Sequence, residues 1–414
     1  MVQEYDLGNV RGEQGPPGPA GPQGPAGAVG LTPHITVGNT ISLPAGSAAT
    51  VSRRQGSPDS APILDFGIPA SGGDMATATY DPNNRHQDIF TYVDISSGKR
   101  PATVVVAAAD SKDKQRADYK CNGQGDQLVL KTAINALPAT GGKVLLLDGT
   151  YYLDTSSITA ADNDYRLLQI AIPNVTIEGM GSSTVLKLSD SVTQADKAYY
   201  LFWVSAAGFR LRNLKLDGNW SNNSVGNVTG VHMPFVAEGS SIDGCVISNC
   251  SYCGLNIQAD ESRISQNTVN GCGDGIRLEG ASDMCWNNQL LINNTRGIYA
   301  EGGMHYIDGN FLSNNGTAGI YCKATSNDVI SNNYLVGHPV GISLTTASLS
   351  NIRDNFILRQ LSSNSYGSSE YSIYLNGCVS LVVIGNRIPG KSLTTASCSD
   401  ITKYFSGTDW NING

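Results

Sequence analysis

The chain has 414 residues, 15% of them charged, and a formal net charge of −8 at pH 7. It has no cluster of Lys and Arg that could bind nucleic-acid phosphates, and its longest apolar runs, 103–109 and 144–147, are far shorter than the ~20 residues of a membrane span. We therefore expect neither a nucleic-acid partner nor insertion into a membrane, and 47 glycines with 17 prolines are too few for a collagen fibre throughout.

The first ten residues, MVQEYDLGNV, have neither the basic start nor the apolar run of a signal peptide, so the sequence predicts synthesis in a cytoplasm. Nine cysteines are spread along the chain without the spacing of zinc ligands. We expect them to be buried, reduced thiols and predict no metal site.

Residues 12–32 consist of seven consecutive triplets that each begin with glycine: GEQ, GPP, GPA, GPQ, GPA, GAV and GLT. This is the collagen pattern, because only glycine fits at the crowded axis of three wound chains. The sequence therefore predicts a homotrimer with a collagen-like stalk of about 60 Å. A flexible linker rich in Pro and Gly is the alternative.

Short β-type runs separated by Gly, Pro and Asn follow between residues 33 and 73. They predict a small β module that is too short to be stable alone and intertwines as a trimer. Residues 74–118 contain another apolar run, ATVVVAAA, and are interpreted as a connector.

An amphipathic helix is predicted over 126–137, with Asp126 as its N-cap and Pro138 after its end. Its apolar positions lie on one face: Leu130, Ala133, Ile134 and Leu137. The strand-forming sequence KVLLLDGTYYL follows a Gly-Gly pair directly after this helix. We expect the helix to cover the exposed edge of the structure that begins here.

The chain then repeats with a period of about 22 residues, which lies in the range of solenoid repeats. Glycine opens each repeat at Gly254, Gly275, Gly297, Gly319 and Gly341. A second column, of asparagine, follows at Asn267, Asn288, Asn310, Asn333 and Asn355. A short period with short β runs and few helix formers is typical of a parallel β-helix, in which each coil adds its strands about 4.8 Å further along the axis. We predict an all-β solenoid of this kind over 119–392, with stacked asparagine ladders, and a coil edge or cap over 393–414.

Two segments, GQGDQ…AINALPATGGKVLLLDGTY and EGMGSSTVLKL, resemble the first coils of pectate-lyase-superfamily β-helices, and the Gly-Ile…Asn coils are similar to their repeats. The resemblance implies a right-handed, single-stranded parallel β-helix. The stalk, the TPHITVG…LDFGIPASGG module and the YDPNN connector resemble tail-fibre proteins of bacteriophages.

This modular order implies a homotrimeric phage tail fibre or tailspike, a virion part made in the host cytoplasm and acting extracellularly on bacterial surface polysaccharide. Residues 1–11 would attach it to a baseplate or tail protein. Two alternatives stay open: a polysaccharide depolymerase of the same architecture, either hydrolase or lyase, and a bacterial surface adhesin. The polygalacturonase motifs Asn-Thr-Asp, Asp-Asp, His-Gly and Arg-Xaa-Lys are absent.

Side chains of each strand should alternate between the interior and the surface. With Ile276 and its equivalents inward, one outward column reads Asn256, Arg277, Tyr299, Tyr321 and Ser343. The next outward column reads Gln258, Glu279, Glu301, Lys323 and Thr345, and His232 takes the first column's position in an earlier coil. Sugar rings stack on tyrosines, and sugar hydroxyls pair with amides and carboxylates. The predicted substrate-binding residues are therefore Asn256, Gln258, Arg277, Tyr299, Tyr321 and Lys323.

Glu279 and Glu301 form the predicted catalytic pair, because neighbouring coils would place their carboxylates roughly 5 Å apart, the separation in retaining glycosidases. Sugar binding without chemistry and a solvated face neutralised by Arg277 and Lys323 are the alternatives. No cofactor is expected, although calcium stays open at acidic residues that equally suit turns: Asp217, Asp260, Asp274 and Asp283.

Overall fold

The computed structural model describes residues 35–44, 47–69, 102–156, 158, 164–293, 295–358, 371–388, 393–404 and 412–413. The predicted attachment segment and the collagen-like stalk lie outside these residues, as does much of the predicted connector. The chain divides into two compact units, Met1–Tyr92 and Val93–Gly414.

The described part of the first unit is a small sheet whose strands are β1 Thr36–Leu43, β2 Thr50–Arg53 and β3 Ile63–Pro69. The central β3 runs parallel to β1 and antiparallel to β2. Ile35, Val37, Ile41 and Val51 are more than half exposed, so this sheet leaves much apolar surface uncovered within one chain. Its intertwining with other chains stays a prediction.

The second unit is a right-handed parallel β-helix, and its fold confirms the predicted all-β class. Its described strands form three long sheets, and each coil places one strand in each sheet. The nine-stranded sheet contains β7 Gly149–Leu153, β10 Thr184–Leu188, β13 Lys215–Asp217, β16 Val246–Ser248, β19 Thr268–Asn270, β22 Gln289–Leu291, β25 Phe311–Ser313, β28 Tyr334–Val336 and β31 Phe356–Leu358.

The other two sheets are longer. The eleven-stranded sheet contains β8 Asp164–Ile170, β11 Ala198–Val204, β14 Asn227–Met233, β17 Cys253–Ile257, β20 Asp274–Leu278, β23 Arg296–Glu301, β26 Ala318–Lys323, β29 Val340–Thr345, β32 Tyr371–Asn376, β34 Leu393–Ala396 and β36 Ile412–Asn413. The thirteen-stranded sheet contains β4 Thr103–Ala107, β5 Tyr119–Lys120, β6 Gly142–Leu146, β9 Val175–Glu178, β12 Arg210–Arg212, β15 Ser241–Asp243, β18 Arg263–Ser265, β21 Met284–Trp286, β24 Tyr306–Asp308, β27 Val329–Ser331, β30 Asn351–Arg353, β33 Val379–Ile384 and β35 Ser399–Tyr404.

The solenoid starts earlier than the sequence indicated. Strand β4, which falls in the predicted connector, pairs in parallel with β6 and with β5. Val104 and Val106 of β4 are buried, because the ATVVVAAA run supplies an apolar inward face to the first coil. At the other end, β34, β35 and β36 continue the sheets in the region expected to be a coil edge or cap.

Helix α1 spans Gln127–Asn135 and buries the predicted face, with Leu137 buried just beyond its end. It packs against β4, β5, β7 and β8. Asp126 precedes the helix as predicted, but its carboxylate makes no capping bond to the helix. Instead, it accepts the N–H groups of Gly123 at 3.0 Å and Tyr152 at 2.9 Å, and so ties the preceding turn to β7. Short 3-10 turns occupy Lys114–Arg116, Gly181–Ser183, Trp220–Asn222 and Phe235–Ala237.

The interior is a continuous apolar stack. Leu255, Ile276, Ile298, Ile320 and Ile342 lie in register on successive strands of the eleven-stranded sheet, and all are fully buried. The repeated glycines also have a packing reason, since a Cβ on Gly297 would lie 2.7 Å from the carbonyl oxygen of Gly319 in the next coil. The cysteines are unpaired thiols, all buried except the half-buried Cys398. No helix in the described ranges has the length and apolarity to cross a membrane.

The predicted asparagine ladder runs through the interior at one turn of the coil. It comprises Asn267, Asn288, Asn310, Asn333 and Asn355, and the structure adds Asn386. Each side-chain amide donates to the Oδ1 atom of the next asparagine at 2.9–3.1 Å. A second amide hydrogen bonds a backbone carbonyl of the preceding coil, so these buried polar groups are satisfied.

A second ladder ends in a histidine. Asn293 donates its amide to Asn315, whose backbone N–H donates to His338 Nδ1 at 3.1 Å. His338 Nε2 lies 3.1 Å from the Leu312 carbonyl oxygen, so these partners assign a neutral ring with its proton on Nε2. Burial lowers the pKa of His338 to about 4.

A third turn position stacks the titratable residues Asp283, His305 and Asp328, all at most 1% exposed. His305 Nδ1 lies 3.7 Å from Asp283 Oδ2, and the His305 N–H donates to Asp328 Oδ1 at 3.0 Å. Burial raises the pKa of Asp283 to about 7, and it also raises the pKa of Asp328 and lowers that of His305. Asp283 Oδ2, His305 Nδ1 and Asp328 Oδ2 have no hydrogen-bond partner among the described residues.

Candidate functional site

The outer face of the eleven-stranded sheet carries an aligned row of polar and aromatic side chains, which we call the central column. Strand register places the following residues in successive coils: Trp203, His232, Asn256, Arg277, Tyr299, Tyr321, Ser343 and Tyr374. The predicted column is therefore continuous and extends beyond both of its predicted ends. From His232 to Tyr374 it covers six coil steps, or about 29 Å.

A second row, the outer column, runs beside it through Gln258, Glu279, Glu301 and Lys323. Gln258 donates to Glu279 at 3.2 Å, and Lys323 Nζ lies 3.9 Å from Glu301. Lys323 pairs in register with Glu301 on the neighbouring strand. The structure thus brings all the predicted site residues onto one face.

The two glutamates have separate partners. Glu279 Oε1 accepts Arg277 Nε at 2.9 Å and also accepts the Arg277 Nη2 group. Glu301 accepts the Tyr299 hydroxyl. A retaining glycosidase needs one protonated carboxyl and one nucleophilic carboxylate that face the same bond. An arginine clamp on Glu279 instead favours a fixed, neutralised carboxylate, which suits binding better than acid–base exchange.

Tyr299 does not play the predicted role of a sugar platform. Its side chain is only 4% exposed, and two guanidinium groups cover its ring, from Arg277 at 4.3 Å and from Arg296 at 4.4 Å. Asp274 fixes both arginines, accepting Arg277 Nη1 at 2.8 Å and Arg296 Nη2 at 2.7 Å. Because coils are spaced by about 5 Å, long side chains from adjacent coils fold over a ring between them.

The other candidate calcium residues serve turns. Asp217 accepts the Asn249 amide at 2.9 Å, Asp260 accepts the Ala281 N–H at 2.8 Å, and Asp283 accepts the Ser262 N–H at 2.9 Å. Across the described ranges, no group of three or more His, Cys, Asp and Glu side chains is arranged to hold a metal ion.

The upstream end of the central column contains polar atoms without partners. His232 and Asn256 are 6% and 7% exposed, and His232 Nδ1 and Asn256 Oδ1 have no hydrogen-bond partner within the described part of the chain. The rings of Trp203 and Tyr200 pack against His232 with centroids 4.5 and 5.1 Å away. Burial lowers the pKa of His232 to about 4, so the imidazole is neutral at pH 7. Each unpaired buried polar group costs roughly 1–3 kcal/mol, which a ligand could recover.

Sequence reasoning missed the aromatic and cationic residues that surround His232. The guanidinium carbon of Arg166 lies 3.7 Å from the Trp203 ring centre, and Arg166 Nε is also buried without a partner among the described residues. The coils from Gln169 to Trp203 and from Trp203 to His232 are longer than the regular repeat, so its period does not reach them. The aromatic-rich strand AYYLFWV was the available signal.

The downstream end of the column opens into a cleft of about 430 Å³. Its lining residues are Thr295, Arg296, Thr317, Ala318, Tyr321, Val340, Ser343, Tyr371 and Tyr374. Tyr371 and Tyr374 stack with ring centroids 5.2 Å apart. Tyr321 was predicted, whereas Tyr371 and Tyr374 follow a gap in the regular period and were missed.

Comparison with known proteins relates the chain to other right-handed parallel β-helix proteins. The A-module of the Azotobacter vinelandii mannuronan C-5 epimerase AlgE6 has 18% identity and a TM-score of 0.50, over 70% of this chain and 96% of that one. A DFA-IIIase from Arthrobacter chlorophenolicus A6, solved with DFA-III, has 14% identity and a TM-score of 0.48, over 74% and 98%. Such identities show the fold alone.

Sequence comparison gives a partial match. Residues 212–380, less than half of the chain, match the family model described as periplasmic copper-binding protein (NosD). This stretch is part of the coiled solenoid. No curated protein matches the chain.

Proposed function

We propose that this chain is a homotrimeric bacteriophage tail fibre or tailspike that binds bacterial surface polysaccharide along its central column. The observation that carries the proposal is the pair of unpartnered, buried polar atoms, His232 Nδ1 and Asn256 Oδ1, on the face predicted to bind sugar. A sugar hydroxyl both donates and accepts, so one hydroxyl can serve an amide oxygen and an imidazole nitrogen together.

The downstream cleft supplies the apolar part of the same site. Tyr321, Tyr371 and Tyr374 line it beside the hydroxyl of Ser343 and the guanidinium of Arg296. Aromatic walls with a few directed polar groups are the usual composition of a ligand pocket. Because the cleft and His232 lie on one column of about 29 Å, a chain of several sugars can contact both.

The placement on a virion rests on the sequence. The Gly-X-Y triplets of residues 12–32 favour three chains, and the module order resembles that of phage tail fibres. In this proposal residues 1–11 join the phage tail, the protein is made in the host cytoplasm, and the β-helix acts outside the cell. Binding needs no cofactor.

The test is binding of the full-length protein to capsular and lipopolysaccharide glycans purified from candidate host strains, measured by surface plasmon resonance. Asn256→Ala and Tyr374→Ala should each weaken binding about tenfold, near 1.4 kcal/mol. Tyr306→Ala is the matched control, because Tyr306 is 37% exposed on a different sheet. Loss of binding in the control alone, or unchanged binding in both site variants, would refute this site.

A depolymerase is the second candidate, and the neutral His232 favours it. An unprotonated imidazole, influenced by the nearby Glu279 carboxylate, can accept a proton from a bound sugar. Incubation with the bound polysaccharide, followed by size-exclusion chromatography, should then yield shorter chains. Activity that survives both Glu279→Gln and Glu301→Gln would remove the predicted catalytic pair.

A further inference from the structure

A second aligned set of aromatic side chains lies on a different face, the outside of the nine-stranded sheet. Phe311, Tyr334 and Phe356 are in register on β25, β28 and β31. Their ring centroids are 5.5 and 5.0 Å apart, and Phe311 and Tyr334 remain 39% and 38% exposed.

The neighbouring outward positions are also uncharged. The residues two positions further along the same strands are Ser313, Val336 and Leu358, which are half-buried. We call the three aromatic residues with Val336 and Leu358 the aromatic strip. A contiguous exposed apolar patch of this kind marks an interaction surface more often than a solvated one.

The geometry of the rings argues against a sugar platform here. Sugar rings pack on the flat face of an aromatic ring. In the strip, Tyr334 is stacked between Phe311 and Phe356, so both of its faces are occupied and its edge points outward. Ring edges and aliphatic side chains instead suit another apolar protein surface.

We propose that the aromatic strip is the contact surface between copies of this chain. The occupant is a second copy because residues 12–32, outside the described ranges, carry the Gly-X-Y triplets that require three identical chains. Three solenoids tethered to one stalk present three identical strips at high effective concentration. This inference rests on the trimer of the proposed function.

The size of the strip fits a tethered contact. Three ring positions span two coil steps, about 10 Å, which is too short for the ~1,000 Å² that an independent stable interface buries. The strip alone therefore should not hold free chains together, whereas chains already joined by a stalk need only a weak contact. The solenoids would be held parallel, with their central columns left open on another sheet.

Disulfide trapping in the full-length chain tests this surface. Tyr334→Cys should give an intermolecular cross-link with copper phenanthroline, seen as a dimer band on a non-reducing gel. Tyr306→Cys is the matched control, since Tyr306 has similar exposure on the thirteen-stranded sheet. The parent chain, with its own nine cysteines, sets the background.

Light scattering on the same samples separates the ways in which the inference can fail. A mass three times the 43.6 kDa of one chain, with a cross-link only at position 334, supports it. The same mass without that cross-link, or with equal cross-linking at position 306, overturns the strip while the trimer stands. The mass of a single chain overturns both the trimer and the strip, and the glycan-binding test remains separate.

Discussion

The guanidinium carbon of Arg277 lies 4.3 Å from the ring centre of Tyr299, its neighbour on the next strand of the sheet. Arg296 covers the same ring, and Asp274 binds both arginines. This tyrosine therefore helps to hold the binding face together, and its ring is not offered to a ligand. In the proposed function, the exposed positions at the two ends of the central column carry the recognition.

Asp274→Asn should lower the stability of the protein. The substitution keeps the size of the side chain but leaves two arginines, 15% and 21% exposed, without their carboxylate. We expect a loss of about 2–3 kcal/mol in the free energy of unfolding, measured by urea denaturation. Asp354→Asn, at an exposed turn, is the control and should stay within about 0.5 kcal/mol. Equal effects of the two changes would contradict this role of Asp274.

His338→Asn should change the pH dependence of stability. The pKa of His338 is about 4 in the folded chain, below its ordinary value of 6.5, so its contribution is present above pH 6.5 and is lost as the pH falls towards 4. Asparagine can take the same ladder position without titrating, as Asn315 does for Asn293.

Measured against wild type between pH 7 and pH 4.5, the variant should therefore gain up to about 3 kcal/mol of relative stability as the pH falls. Thermal melting at each pH gives the difference, in which the titrations of the other histidines cancel. A pH-independent difference would show that His338 does not titrate in this window.

Asp283→Asn should have the opposite pH profile. Burial raises the pKa of Asp283 to about 7 from its usual 3.8, so its stabilising contribution is present below pH 4 and is lost as the pH rises to 7. The amide should retain the bond from the Ser262 N–H and can donate towards His305 Nδ1, which has no partner among the described residues. Relative to wild type, the variant should become progressively more stable from pH 4 to pH 8 in thermal melts. Glu261→Gln, at an exposed turn, should show no such trend.

Asn310→Ala should be among the most damaging single changes in the solenoid. The Asn310 side chain accepts the N–H and amide of Asn288 and donates to Cys285 O and Asn333 Oδ1. Its removal leaves several buried polar groups unpaired, at a cost on the order of 4 kcal/mol. The control Asn270→Ala, at an exposed strand end, should change the unfolding midpoint little. A small effect at position 310 would mean that water enters the ladder.

The regular coils could be predicted from sequence because each coil repeats the same environment. The glycine and asparagine columns fixed the alignment, and that alignment placed Ile276 inside and Arg277 outside, as the structure confirms. Backbone approach at Gly297 and the amide ladder through Asn310 are the physical causes of those columns.

Contacts between coils could not be predicted in the same way. Covering of Tyr299 depends on the rotamers of Arg277 and Arg296, which no spacing rule specifies. Arg166 and Trp203 were missed because their coils differ in length from the repeat, although the sheet register continues through them. The strand at Thr103–Ala107 was assigned to a connector because its pairing partner β6 follows only after the helix, too distant in the chain for a local pattern to indicate the pairing.

The asparagine ladder has a direction. Asn288 Oδ1 accepts both the N–H and the side-chain amide of Asn267 in the coil before, and Asn288 Nδ2 also donates to the Ile264 carbonyl there. Each arriving asparagine thus finds three of its bonds on a coil that has already been synthesised, and presents its own free groups to the coil that comes next. The solenoid can therefore grow from its N-terminal end while the chain leaves the ribosome, with every finished turn serving as the template for the following one.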